Sequence, residues 1–144
     1  MVLDKAEKPV ATASKGASIM DVASMMGEYN LGCIVITERD KPIGIVTDRD
    51  LALEFGQFNK DPANVKVESL MRKPLTTIEA GSSLMQIVQT MASANVRRLP
   101  VVDENDKLVD IVTMDDIVHL LAQTMGGLED IIDSESPVGI AEFR

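Results

Sequence analysis

The sequence predicts a mixed α/β protein made of two β-α-β-β-α repeats whose sheets pack on each other about a pseudo-twofold axis. Three observations carry this. The chain matches itself at an offset of 65 residues. Each matched half shows the same succession of extended and helical apolar patterns. Its 144 residues, 45% apolar and 26% charged, have the composition of a globular chain long enough to bury one good core. The self-match pairs Pro9 with Pro74, Thr12 with Thr77, Gly16 with Gly81 and Ser18 with Ser83. It continues through Met20 and Met85, Met26 and Met91, and Asn30 and Asn95. After Asp40 one residue is inserted and the offset becomes 66, so that Lys41 meets Lys107, Ile45-Val46-Thr47 meets Ile111-Val112-Thr113, and Asp50 meets Asp116.

Each half opens with a short extended segment after a proline, PVAT in the first and PLTT in the second. An amphipathic helix follows. Ile19, Val22, Ala23 and Met26 share one face in the first half, and Leu84, Ile87, Val88 and Met91 share one in the second. Ser18 and Ser83 stand where helix N-caps belong, and Ser83 with Gln86 has the spacing of a capping box. Two apolar runs separated by a polar turn come next: CIVI and IGIVT around TERDKP, then LPVV and LVDIVT around DENDK. These read as strand, turn, strand. A second helix closes each half, over about residues 50–55 and 116–125. The expected organisation is a first repeat over 8–57, a polar linker over 58–67, a second repeat over 68–125 and an acidic tail over 126–144. Each repeat alone is too small for much of a core, so a single compact unit is expected. Gly126-Gly127 reads as a helix stop, with a short helix or a disordered end beyond it.

Composition removes several function classes. Lys and Arg number 14 against 23 Asp and Glu, a net charge of −9. Such a chain is repelled by nucleic acid and by anionic lipid, so neither is expected as a partner. No apolar run approaches the roughly 18 residues of a membrane span. The opening MVLDKAEKPV lacks a signal-peptide apolar region, and a cytoplasmic location is expected. One cysteine, Cys33, rules out an internal disulfide, and one histidine, His119, leaves too few ligands for a Cys/His zinc site. Carboxylate sites for magnesium stay open. A Cys33–His119 nucleophilic pair conflicts with the placement of Cys33 in the apolar run CIVI, where a buried thiol fits better. With aromatics at 3% and no Trp, Val, Ile, Leu and Met must fill the core. Met20, Met25, Met26, Met85 and Met91 read as such filler, and His119 as a partly exposed helix residue.

The chemistry-bearing segment is itself repeated. Gly44-Ile45-Val46-Thr47-Asp48-Arg49-Asp50 and Asp110-Ile111-Val112-Thr113-Met114-Asp115-Asp116 each run from a strand, through Thr, to an Asp in the first turn of a helix. Free N–H groups and the dipole at such a corner attract phosphate. A Thr hydroxyl there can donate to a phosphate or ribose oxygen, and an Asp can accept from ribose hydroxyls. The same two residues also suit plain helix capping.

This element order and the two T-x-x-D motifs resemble a tandem pair of cystathionine β-synthase (CBS) domains, over about residues 8–125. The family pattern G-h-x-T/S-x-x-D/N is met in full by Gly44, Thr47 and Asp50. Thr113 and Asp116 meet it in the second copy, where Asp110 replaces the Gly. The string Val96-Arg97-Arg98-Leu99-Pro100-Val101-Val102-Asp103-Glu104 is also similar to the family's. The resemblance implies a non-enzymatic regulatory module that binds adenosyl nucleotides in clefts shared between repeats. Site one would join Thr47 and Asp50 to Thr76, Thr77, Arg97, Arg98 and Leu99, with Arg49 beside the motif. Site two would join Thr113 and Asp116 to Ala11, Thr12, Gly32, Cys33 and Ile34. The arginines suit phosphate oxygens, so site one is expected to take AMP, ADP or ATP. Site two carries Asp110 and Asp115 and no evident cation, and so is empty or takes a less anionic ligand such as S-adenosylmethionine. No metal and no further cofactor is expected. The implied protein is an energy sensor, homodimeric through its helices, that signals to an unidentified effector protein. Two alternatives stand beside it. One is an interaction scaffold whose sites have decayed. The other is a dehydrogenase activity of the kind such pairs accompany, for which the chain lacks a catalytic barrel.

Overall fold

In the computed structural model, residues 10–57, 61–72 and 74–135 are described. The beginning of the first repeat with Pro9, linker residues 58–60 and the end of the tail, 136–144, lie outside the described residues. The chain divides into two compact units, Met1–Val112 and Thr113–Arg144.

The first unit holds β1 (Thr12–Ser14), α1 (Ile19–Tyr29), β2 (Cys33–Glu38), β3 (Lys41–Thr47), α2 (Asp48–Gln57), β4 (Ile78–Glu79), α3 (Leu84–Ala94), β5 (Arg98–Val102) and β6 (Leu108–Thr113), whose last residue opens the second unit. The second unit is α4 (Met114–Glu135). The order β-α-β-β-α thus occurs twice, with sheets ordered β1-β2-β3 and β4-β5-β6. In each the outer strand is parallel to the middle one, Thr12 opposite Val35 and Ile78 opposite Val101. The strands of both repeats share one unit. The division falls at the junction of β6 and α4, not between the repeats, and sets the closing helix of the second repeat apart.

The repeated residues explain themselves locally. Ser18 accepts from the Asp21 N–H at 3.1 Å and caps α1. Ser83 and Gln86 form a full capping box on α3, at 3.2 and 2.8 Å. Asn30 and Asn95 end their helices in the left-handed conformation, φ 52° and 53°. Asn tolerates that region better than other side-chain-bearing residues, and its repetition follows from that. Met26 and Met91 are buried. Arg39 and Asp40, both at positive φ, form the two-residue turn between β2 and β3. The second repeat needs a longer turn, organised by Asp103, which accepts from the Asn105 and Lys107 N–H groups.

In β2, Ile34 and Ile36 join the core formed with α1, α2 and β3, while Val35, on the other face, is also buried. In β5, Leu99, Pro100, Val101 and Val102 are all buried. Both central strands are therefore covered on both faces, which is why they read as unbroken apolar runs. Contacts among the described residues tie the halves of the first unit. The Leu108 N–H donates to the Asp40 carbonyl at 2.9 Å, and the Arg98 guanidinium borders Gly32.

Three expectations are corrected. Val67, placed in a polar linker, is a core residue. The segment around it is clipped to the first repeat: Ile19 donates to the Val65 carbonyl at 2.9 Å and Val67 to the Ala17 carbonyl at 2.8 Å. Gly126-Gly127 does not stop a helix, since α4 runs through both to Glu135. Met20 and Met85 are exposed rather than core filler, as is Val88, because each lies at the edge of its helix's apolar stripe.

Candidate functional site

Strand β3 ends at Thr47 and α2 starts at the next residue, so the T-x-x-D motif spans the corner between them. The Thr47 N–H donates to Asp50 Oδ2 at 2.9 Å, and the Asp50 N–H donates to Thr47 Oγ1 at 3.2 Å. In the second unit the Thr113 N–H donates to Asp116 Oδ2 at 2.8 Å and the Asp116 N–H to Thr113 Oγ1 at 3.2 Å. Each motif is thus a reciprocal helix cap. In the first, the cap engages Oδ2 of Asp50 and leaves Oδ1 to a different partner.

That oxygen is held by a residue outside the repeated motifs. Arg72 donates to Asp50 Oδ1 from Nη2 at 3.1 Å and from Nε at 3.3 Å. The Asp50 side chain is 10% exposed and the Arg72 side chain 70%. Gly44 explains how Arg72 gets there. A Cβ at Gly44 would stand 2.6 Å from Met71 Sδ and 2.9 Å from Met71 Cβ. The bare glycine admits Met71 against β3, and the next residue then reaches the motif. The only sequence signal for Arg72 is the basic pair Arg72-Lys73 following the apolar Leu70-Met71.

The other residues assigned to site one are spread over the first unit. Arg98 is half-buried, and its Nη2 lies 3.9 Å from where a Gly32 Cβ would be, as does Asp48 Oδ2. The Asp48 N–H donates to the Gly32 carbonyl at 3.0 Å. Gly32, Asp48 and Arg98 are therefore neighbours, a grouping the motif alone did not indicate. Arg49 and Arg97 are exposed. Leu99 is fully buried in β5 and offers a ligand no side-chain surface. Thr76 and Thr77 line an open groove of about 600 Å³ with Ser82, Gln86, Thr90 and Ser93, and neither Thr47 nor Asp50 lines it.

Of the residues assigned to site two, Thr113 and Asp116 belong to the second unit and the rest to the first. Ala11 accepts from the Val35 N–H at 3.1 Å, Thr12 is exposed in β1, and Ile34 is fully buried. Half-buried Cys33 lies directly across the ladder from Thr47. Asp110, where the first motif has Gly44, accepts from the Ile111 N–H at 2.7 Å. The Lys15 ammonium, 2.8 Å from Glu38, holds that carboxyl below its ordinary value, and Glu38 raises Lys15. Among the described residues no group of three His, Cys, Asp or Glu could hold a metal, and no helix is long and apolar enough to cross a membrane.

The sequence model of the CBS domain matches residues 4–56 and 67–123. The chain belongs to the CBS-domain family. This CBS pair is 36% identical to MK0525 of Methanopyrus kandleri over 126 residues, 87% of this chain and 64% of that protein. It thus spans just under two thirds of that relative. The CBS domain-containing protein YhcV of Bacillus subtilis is 36% identical over 116 residues, 81% of either chain. The CBS domain pair of protein MJ0100, solved in complex with 5′-methylthioadenosine and S-adenosyl-L-methionine, superposes with a TM-score of 0.71 at 28% identity. That match covers 82% of this chain and 92% of that one.

Proposed function

We propose that this CBS pair is a non-enzymatic sensor of adenine nucleotides, binding AMP, ADP or ATP at the first motif and passing occupancy to a partner protein by a population shift. One observation carries the reading. Asp50 is a largely buried carboxylate with one oxygen engaged by its own helix cap and the other held by a cation. A cap needs only the first of these. The second oxygen is suited to ribose hydroxyls, and Arg49, Arg72 and Arg98 supply positive charge around a motif in an otherwise acidic chain. The adenosyl ligands bound by MJ0100 support the class of ligand.

The test is thermal denaturation with AMP, ADP, ATP and S-adenosylmethionine. A ligand at 100 times its Kd stabilises by about 2.7 kcal/mol, several degrees in Tm. The shift should vanish in Asp50→Asn, which keeps an oxygen for the cap and removes the charge. An interaction scaffold is the second reading, favoured by Asp110 at the Gly position of the second motif. It would stand if no adenosyl ligand moved Tm.

Self-association is part of the proposal. Val118, Leu121, Met125, Leu128 and Ile132 recur at alternating three- and four-residue spacing along α4, each 47–70% exposed. That spacing is the apolar seam of paired helices. Light scattering over a concentration series should report a homodimer.

A further inference from the structure

We propose that Arg72 is a ligand-selecting latch that covers Asp50 in the free protein and transfers to the phosphate of a nucleoside phosphate when one binds. The inference rests on the reading of Asp50 as the ribose-binding carboxylate and adds which adenosyl compounds the site accepts. Asp50 Oδ2 accepts the Thr47 N–H within the cap, while Oδ1 is the oxygen that Arg72 holds. Two Arg72 donors, at 3.1 and 3.3 Å, converge on that oxygen. A carboxylate oxygen has about two lone-pair sites, and both are taken. A ribose hydroxyl therefore gains Oδ1 only if the guanidinium gives way.

Yielding is easy for Arg72 and consequential for Asp50. At 70% exposure the arginine side chain moves into water without disturbing any packing. Its backbone stays where Met71 anchors it against Gly44, so the guanidinium remains within one side-chain length of the ribose. A 5′-phosphate on that ribose offers the displaced fork a doubly accepting anion in place of the carboxylate. An unphosphorylated adenosyl compound offers nothing and must compete with Arg72 uncompensated. Arginine at this position thus selects nucleoside phosphates over adenosine and its thioethers. The Nη1 edge, which makes no hydrogen bond among the described residues, is the part that meets phosphate first.

The experiment is calorimetric titration of AMP and adenosine into the full chain, for wild type, Arg72→Ala and Arg72→Lys. Charge-assisted hydrogen bonds are worth about tenfold or more in affinity. Wild type should prefer AMP over adenosine by at least that factor. In Arg72→Ala the preference should collapse, with AMP weakened about tenfold and adenosine bound as well as before or better. Arg72→Lys, which keeps the charge and loses the fork, should fall between. An undiminished preference in Arg72→Ala overturns the latch while leaving the sensor reading intact. Equal weakening of both ligands also overturns it, because Arg72 would then only orient Asp50. A wild-type chain that binds neither compound overturns the latch, and the sensor reading then falls as well only if ADP and ATP also leave Tm unmoved.

Discussion

Replacing Gly44 by Ala tests the packing that places the inter-repeat segment. Gly44 is buried in β3, and an added methyl would stand 2.6 Å from Met71 Sδ, 2.8 Å from its Cγ and 2.9 Å from its Cβ. Bending the thioether away relieves the first contact but not the last, because Cβ is fixed to the backbone. Overpacking of this kind costs about 1–3 kcal/mol. Truncating Met71 alone leaves a gap beside a half-buried side chain and costs about 2 kcal/mol, at the low end for a methionine. With both changes the methyl introduced at position 44 occupies part of the space Met71 has left. The double variant should therefore cost less than the two single costs together, by about 0.5 kcal/mol or more. Urea denaturation followed by far-UV circular dichroism measures this without Trp, which the chain lacks. Additive costs, or a Gly44→Ala variant as stable as wild type, would refute the claim that Gly44 is there to admit Met71.

Four further outcomes are expected. Ser83→Ala removes the capping box of α3 and should lower stability by about 1 kcal/mol in the same assay. Asn30 sits at φ 52°, so Asn30→Ala should cost about 1 kcal/mol while Asn30→Gly is neutral or better. Because α4 runs through Gly126 and Gly127, the double change to Ala should raise helicity and Tm, by up to about 1 kcal/mol per site, whereas a helix ending there would lose stability. Glu38 titrates below its ordinary value in the folded chain, so its pairing contributes at neutral pH and is lost as pH falls through that lowered value. The pair is exposed, so any difference between wild type and Glu38→Gln should disappear in high salt.

What could be read beforehand had a local cause. The serine caps, the asparagine helix ends and the central strands each follow from one or a few adjacent residues, and their repetition made them visible twice. The T-x-x-D motif was legible for the same reason, both as a cap and as a binding motif. Residues whose role depends on distant partners were not. Val67 lies among Lys66, Glu68 and Ser69, and nothing local says that it fills a core built by α1 and β3. Arg72 stands 22 residues from Asp50, and only Met71 seated on Gly44 brings them together. Gly126-Gly127 misled because adjacent glycines usually end a helix, while the apolar spacing from Val118 to Ile132 continues across them. The grouping of Gly32, Asp48 and Arg98 joins three elements and has no signature in any one of them.

The clip between residues 65–67 and Ala17-Ser18-Ile19 bears on how such a protein could arise by duplication. The copied stretch and the folded stretch do not coincide. A first copy ending with α2 would lack Val67 and leave the carbonyl of Ala17 and the N–H of Ile19 without their partners. The ancestral gene segment must have brought this clip with it or acquired it on joining. At the corresponding place in the second copy, 66 residues on, stands Asp133 within α4, where the chain is helical instead. The first repeat is closed by a segment that follows α2, so exchanging first repeats between homologues should succeed only when the crossover is placed after Arg72.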